Sequence, residues 1–323
     1  LQLCSDKKLP NASTDQNHNS NAKRSTLSNH MPKPGVLPGA TIALIAPAGI
    51  FNYEIFESSR QILHSQGYIT LYSDRILKRR GDVCGSEWER ALDIIEFMKS
   101  PSVDAIWCIR GGYGSSQILR WLPNLPWWRK PIIGYSDISF LHFFIHSSAR
   151  AITFHGPNLI ELATMSPENL NEVFSALRGE KIFSWFFKAS QVIRHGTACG
   201  KILGGNLTCL VHILGTPYLR IETFHEAILF IEDINEKPYR IDRMLTQLRD
   251  AGVMDHICGL LIGNFAKCGD YETEIRERIL RICSPYSFPI VEGFPVGHTI
   301  PQTLIPLGAR VRLNTLEGTL SLE

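Results

Sequence analysis

Thr41-Ile-Ala-Leu-Ile-Ala46 is an unbroken apolar run closed by Pro47-Ala-Gly49, and its reading decides the fold. Continuous rather than alternating apolar character marks a strand covered on both faces, as in a parallel sheet. Downstream, the spacing predicts a helix over Asn52 to Gln66, with Ile55, Ile62 and Leu63 on its apolar side and Gly67 as its stop. Ile69-Thr-Leu-Tyr72 reads as a second strand, Glu87 to Met98 as a second helix, and Ala105-Ile-Trp-Cys-Ile109 as a third strand. Strands and helices alternating at these distances predict an α/β fold, a Rossmann-like parallel sheet flanked by helices. Ligands of such sheets sit beyond the carboxyl ends of the strands.

The whole chain has 323 residues, more than one compact core usually holds, so two domains are expected. Hydrophobic residues make up 44% and charged residues 20%, which fits a soluble globular protein. A net charge of +2 without a Lys/Arg stripe speaks against a nucleic-acid partner. No apolar run approaches the ~20 residues of a membrane helix, so no membrane partner is expected either. The eight cysteines (Cys4, Cys84, Cys108, Cys199, Cys209, Cys258, Cys268, Cys283) form no CxxC pair and several lie in strand-like runs. They read as buried free thiols of a reducing compartment, not as a disulfide frame or a zinc site.

Residues 1–38 are polar, without apolar periodicity, and are expected to be a disordered tail. They lack the apolar core of a signal peptide. Leu1-Gln-Leu-Cys4 faintly suggests a lipoprotein box, but the Leu before the Cys is too large and no hydrophobic stretch precedes it. Residues 39–165 make the N-terminal α/β domain. Residues 166–199 read as an interdomain connection, a polar helix (Glu168 to Arg178) followed by the aromatic stretch Phe183-Ser-Trp-Phe-Phe187. Residues 200–323 then form a smaller C-terminal α/β domain with β-rich elements. Its expected strands are Ala227 to Ile231, Gly259 to Gly263, one near Ile290, and a closing hairpin, Ala309 to Leu313 with Thr319 to Leu322.

Chemistry concentrates at a few strand ends. Pro131-Ile-Ile-Gly-Tyr-Ser-Asp-Ile-Ser139 starts as a buried strand, breaks at Gly134 and continues as a helix from Ile138. Ser136 thus occupies a strand-to-helix elbow of the kind that exposes a nucleophilic hydroxyl, although Ile138 replaces the second glycine of GxSxG. The competing reading is that Ser136, with Asp137, merely caps the helix. Arg110-Gly-Gly-Tyr-Gly-Ser-Ser116 follows the third strand and admits three readings: a dinucleotide loop, a tight turn, or an oxyanion hole. The first lacks the GxGxxG spacing and its acidic partner. The last would pair the N–H of Gly112 with that of Asp137, each such donor lowering the barrier by ~3 kcal/mol. His142 and His146 lie four apart without the Glu of HExxH and read as ordinary helix-face histidines. Glu232 ends an apolar strand, while Asn235 or Glu236 serves better as the next helix cap, which leaves Glu232 without a structural task. His298, beside Gly297, lies on a loop of fixed shape; it is either a surface histidine or a base.

Ser136, Glu232 and His298 occur in the order nucleophile, acid, base that is also found in hydrolases. The chain resembles the LD-carboxypeptidase family, muramoyltetrapeptide carboxypeptidases of serine type. The motifs that carry the likeness are RGGYGSSQIL from Arg110, IIGYSDISFLH from Ile132, FHGP from Phe154, ILGGNLTCL from Ile202, LFIEDINEKPYRIDRMLTQL from Leu229 and FPVGH from Phe294. They run in order from about Ala40 to the C-terminus. The resemblance implies two domains with the site between them, Ser136 as nucleophile, Glu232 as acid, His298 as base, and the N–H groups of Gly112 and Asp137 around the oxyanion. It implies removal of terminal D-alanine from murein tetrapeptides during peptidoglycan recycling, in the cytoplasm, without metal or cofactor, commonly as a homodimer. Arg110 and the Gly204-Gly205-Asn206 turn are candidates for holding the substrate carboxylate. The alternatives are an immunity peptidase of the microcin type, acting on peptidyl-nucleotide amides, a non-catalytic murein-peptide binder, and, last, a nucleotide-binding protein.

Overall fold

The run at Thr41 is strand β1 (Thr41–Ile45), and Ile42 through Ile45 are wholly buried, as a strand covered on both faces requires. The computed structural model describes residues 35–123, 130–149, 151–181, 183–299 and 302–323. After β1 come β2 (Ile69–Leu71), β3 (Ala105–Cys108), β4 (Ile132–Gly134) and β5 (Thr153–His155). The middle of the chain adds β6 (Ser184–Phe186), β7 (Val192–Arg194), β8 (Thr197–Asn206), β9 (Ala227–Ile234), β10 (Ile257–Ala266) and β11 (Ile290–Glu292). The C-terminal part supplies β12 (Ile305–Leu307), β13 (Arg310–Asn314) and β14 (Thr319–Leu322).

The strands build two sheets. The first has the order β12-β5-β4-β3-β1-β2 and is parallel except for β12, which runs antiparallel to β5. The second has the order β6-β14-β13-β8-β9-β10-β11-β7, with a parallel centre from β8 to β11 and antiparallel flanks. β13 and β14 are the hairpin expected at the C-terminus. One apolar core joins both sheets: it contains Ile45 and Cys108 of the first, Phe143 of the helix Ser139–Ser148, and Leu203 and Leu229 of the second.

Helices form where the capping chemistry allows. Asn52 accepts the Ile55 N–H at 3.0 Å and starts the helix Tyr53–Ser65. Ser86 and Glu89 make a reciprocal capping box at the start of Glu87–Lys99. The buried stripe of the first helix is Phe56, Ser59 and Leu63, with Ile62 packed half-buried beside it; Leu63 and Ile62 lie as expected, whereas Ile55 faces solvent. Phe56 takes the inward position because its ring is held between those of Phe51 and Tyr72, with centroids 5.2 and 5.3 Å away.

The segments follow a less sequential plan than the reading of residues 39–165, 166–199 and 200–323. Within the expected connection, helix Pro167–Leu177 buries Val173, Phe174 and Leu177 in the core on the outer face of the first sheet, with Trp107. β6 and β7 take the two outermost places of the second sheet. Trp185 of β6 packs on Phe187 and Phe294. β12, far into the C-terminal part, crosses to the edge of the first sheet. Residues 1–34 of the expected tail, with Cys4, lie outside the described residues, whereas Val36 is held: its N–H donates to Leu177 O at 2.8 Å and its carbonyl accepts from the Tyr68 hydroxyl. The seven described cysteines are all free and buried or half-buried. Among the described residues, no helix is long and apolar enough to cross a membrane.

Candidate active site

Ser136 sits at φ +63°, the left-handed region that costs a side-chain-bearing residue roughly 1–2 kcal/mol. β4 ends at Gly134, the chain turns over Ser136–Ile138, and the helix Ser139–Ser148 follows at once. The sharpness depends on Gly134, where a Cβ would come within 3.0 Å of both γ carbons of Ile138. Ile138 itself, the departure from GxSxG, fills that space from the other side. His142 lies inside the fold with Nε2 2.9 Å from Gly134 O, and burial lowers its pKa to about 4. His146, 3.0 Å from the Thr153 hydroxyl, is lowered to about 3, again by burial first. Both are neutral packing groups.

The glycine turn after β3 lies against the elbow. Gly112 has φ +98°, and a Cβ on Gly111 would stand 3.1 Å from Ser136 Cβ and 3.3 Å from Asp137 N. The turn is fixed from two sides. Asp137 Oδ2 accepts the Ser115 N–H at 2.7 Å, and the buried Arg90 donates to Pro47 O at 2.7 Å and to Gly114 O at 2.8 Å. Burial raises the Asp137 pKa, opposed by that hydrogen bond. The sequence reading used Asp137 for its N–H or as a helix cap and overlooked the hold of its carboxylate on the glycine turn, and Arg90.

Glu232 and His298 arrive from the second sheet. Glu232 lies within β9 rather than after it, paired in register with Asn206, and is completely buried. Its Oε2 stands 3.0 Å from His298 Nδ1, and His298 Nε2 stands 3.1 Å from Ser136 Oγ. These partners assign the tautomer: Nδ1–H donates to the carboxylate, and Nε2 is left to accept from the serine hydroxyl. Burial depresses the imidazole pKa, yet the hydrogen bond and charge of Glu232, helped by Glu161 and Asp233, outweigh it and leave the ring above its ordinary value. Gly297, at φ +114°, lets the loop close on the acid; a Cβ there would be 3.2 Å from Glu232 Oε2. The other oxygen, Oε1, is buried without a hydrogen-bond partner among the described residues.

Two groups around the imidazole were not legible in the sequence. The Tyr135 ring lies 4.9 Å from that of His298, and its hydroxyl donates to Glu161 Oε1 at 2.7 Å. Burial pushes the Glu161 carboxyl up to about 7. A cavity of about 470 Å³ opens beside the serine, lined among others by Gly112, Ser136, Asp137, Asn206 and Glu236. Asn206 has little left to offer a ligand: Nδ2 donates to Asp233 Oδ1 at 3.0 Å and Oδ1 accepts the Cys209 N–H at 3.0 Å. Arg110 is exposed, donates to Ile50 O, and is absent from the described lining of this cavity. A larger cavity of about 850 Å³, walled by Val36, Phe154, Leu177, Trp185 and Leu304, contains none of the three catalytic candidates. A hydroxyl, an imidazole and a carboxylate in this chain of hydrogen bonds are the equipment of acyl transfer through a covalent intermediate.

Comparison with known proteins follows the same division. The family model of the LD-carboxypeptidase N-terminal domain matches residues 42–156, which include Ser136, and that of the C-terminal domain matches 199–313, which include Glu232 and His298. A probable murein peptide carboxypeptidase of Bacillus subtilis (strain 168) is 32% identical over 312 residues, spanning 91% of this chain and 95% of its own length. The crystal structure of muramoyltetrapeptide carboxypeptidase from Oxalobacter formigenes is 29% identical, with a TM-score of 0.76 over 88% of this chain and 98% of the other. The microcin C7 self immunity protein MccF, at 22% identity, shares the fold with a TM-score of 0.78 over 90% of this chain and 97% of its own.

Proposed function

The chain belongs to the LD-carboxypeptidase family and is a serine carboxypeptidase, and on that premise we propose that it removes the terminal D-alanine from murein tetrapeptides. Ser136 attacks the carbonyl on the L-side of the scissile amide while His298 Nε2 takes the hydroxyl proton. Glu232 holds the ring through Nδ1 and stabilises the imidazolium that forms. The N–H groups of Gly112 and Asp137 receive the oxyanion. His298 then passes its proton to the departing D-alanine nitrogen, an acyl-enzyme remains on Ser136, and a water activated by the same imidazole releases the tripeptide. The reaction requires no metal or cofactor.

The observation that carries this reading is the unbroken relay from Ser136 Oγ through His298 to Glu232, with steps of 3.1 and 3.0 Å. The resemblance suggests the substrate and a setting, peptidoglycan recycling in the cytoplasm by a homodimer, and the charge pattern and apolar runs of the sequence speak for neither nucleic acid nor membrane as partner. The test is release of free D-alanine from a tetrapeptide, run beside a nucleotide-linked peptidyl amide and repeated with Ser136→Ala. Release from the tetrapeptide that disappears in the variant supports the reading. Cleavage of the nucleotide-linked amide alone assigns the chain to the immunity activity. Tetrapeptide binding without release makes it a non-catalytic binder.

A further inference from the structure

We propose that Tyr135 and Glu161 are positioning residues for the base: the Tyr135 ring, tied by its hydroxyl to Glu161, sets the plane of the His298 imidazole so that Nε2 stays on the Ser136 hydroxyl. This role rests on the peptidase reading above and deepens it at the same site.

His298 is held at two points, Nδ1 against Glu232 Oε2 at 3.0 Å and Nε2 against Ser136 Oγ at 3.1 Å. Bonds to ring nitrogens on opposite sides of an imidazole do not stop it from rocking about the line that joins them. Oxygen acceptors tolerate a broad spread of such angles. Only a contact on the face of the ring opposes that motion. Tyr135 makes one, with ring centroids 4.9 Å apart and planes at 49°.

The Tyr135 ring is fixed in its turn. Its hydroxyl donates to Glu161 Oε1 at 2.7 Å, and its edge meets the buried His155 ring at 5.8 Å and 73°. Glu161 is anchored through its other oxygen: Oε2 accepts the Asn158 N–H at 3.0 Å in a capping box. The neighbouring Ile160 N–H donates to Ile109 O at 3.2 Å, just beyond β3, so this anchor belongs to the sheet of the nucleophile. His155 stands edge to face with Phe230 at 5.0 Å, and Phe230 lies on β9 two residues before Glu232. Ring contacts thus run from His298 through Tyr135 and His155 to Phe230, back to the strand that carries the acid.

A phenylalanine in place of Tyr135 would fill the same space without needing a buried acceptor. The polar pair is costly: burial pushes the Glu161 carboxyl up to about 7. Buried polar groups of this kind add less to stability than apolar packing does, but a satisfied pair fixes direction. Direction is what a base requires, because a small misplacement of a catalytic group lowers the rate steeply.

The experiment measures D-alanine release from tetrapeptide by wild type, Tyr135→Phe, Glu161→Leu and the double variant. It also follows the low-field proton resonance of His298 Nδ1–H, assigned by its loss in His298→Gln. Tyr135→Phe keeps the ring and removes the tie. It is expected to lower kcat about tenfold with KM unchanged, and to broaden the resonance as the bond to Glu232 loosens. Because the two residues act through one bond, the double variant should be no slower than Glu161→Leu alone. Unchanged kcat in Tyr135→Phe overturns the proposal. So does an unmoved resonance, since the imidazole then keeps its place without the tie, and so do losses that multiply in the double variant. Should Glu161→Leu fail to fold, the two Tyr135→Phe readings decide. In each of these cases the wild type still releases D-alanine, and the peptidase reading stands. Absence of release by the wild type overturns that reading and this role with it.

Discussion

Replacing Glu232 by Gln tests the relay at its most buried member. The carboxylate is fully removed from solvent and stands 3.0 Å from Nδ1 of an imidazole that becomes cationic as Ser136 attacks. Taking charge centres about 4 Å apart and an effective dielectric of about 20, the attraction lost in the transition state is about 4 kcal/mol. That corresponds to a fall of roughly 10³ in kcat, with KM little changed because the ground-state ring is neutral. The amide adds a second cost. If its NH2 group faces Nδ1, it imposes the wrong tautomer on His298. If it turns the other way, it points a donor at the position of Oε1, which has no partner among the described residues. The pH profile gives an independent readout. His298 works as a base only when neutral, and its pKa is raised because the bond and charge of Glu232 outweigh burial. Without that carboxylate, burial prevails, and the acid limb of kcat/KM moves to lower pH even as the plateau falls. The assay is D-alanine release from tetrapeptide across pH 5 to 9. Activity within about fivefold of wild type at every pH, or an acid limb displaced upward, refutes the assigned role.

Other perturbations read different links. Ser136→Gly removes both the hydroxyl and the left-handed strain at φ +63°. It should abolish turnover yet be about 1 kcal/mol more stable than Ser136→Ala, measured by denaturant unfolding; equal stability of the two variants would show the elbow to be unstrained. Gly134→Ala places a methyl 3.0 Å from Ile138 and should destabilise by about 1–3 kcal/mol, visible as a lower Tm. Glu161, pushed up to about 7, keeps a proton in the folded state that the unfolded chain releases near pH 4.3. Its contribution is therefore complete below that pH and is lost as pH rises toward about 7, so Glu161→Gln should flatten this part of the stability profile. An unchanged slope in thermal unfolding between those limits would dismiss Glu161 as its source.

The parts of the molecule that were legible in sequence are those whose cause is local. A continuous apolar run gave β1, apolar spacing closed by Gly67 gave the first helix, and the placing of polar residues at strand ends and loops, with the family resemblance, singled out Ser136, Glu232 and His298 as candidates. What escaped was set by partners distant in the chain. Asp137 meets Ser115 across 22 positions, and Tyr135 meets Glu161 across 26, with no periodicity to announce either pair. On the inward face of the first helix Phe56 was missed in favour of Ile55, because Phe56 is chosen by Phe51 and Tyr72, not by its own helical repeat. The crossing of β12 was equally hidden, and it accounts for how Ser136 and His298, 162 positions apart, come to face one another. His298 follows β11 of the second sheet and precedes β12 at the edge of the first. The segment that carries the base is thus fastened at one end to the sheet that supplies the acid and at the other to the sheet that supplies the nucleophile. Loosening the β12–β5 pairing should therefore cost activity before it costs the rest of the fold, because the base, and not either sheet, depends on both attachments.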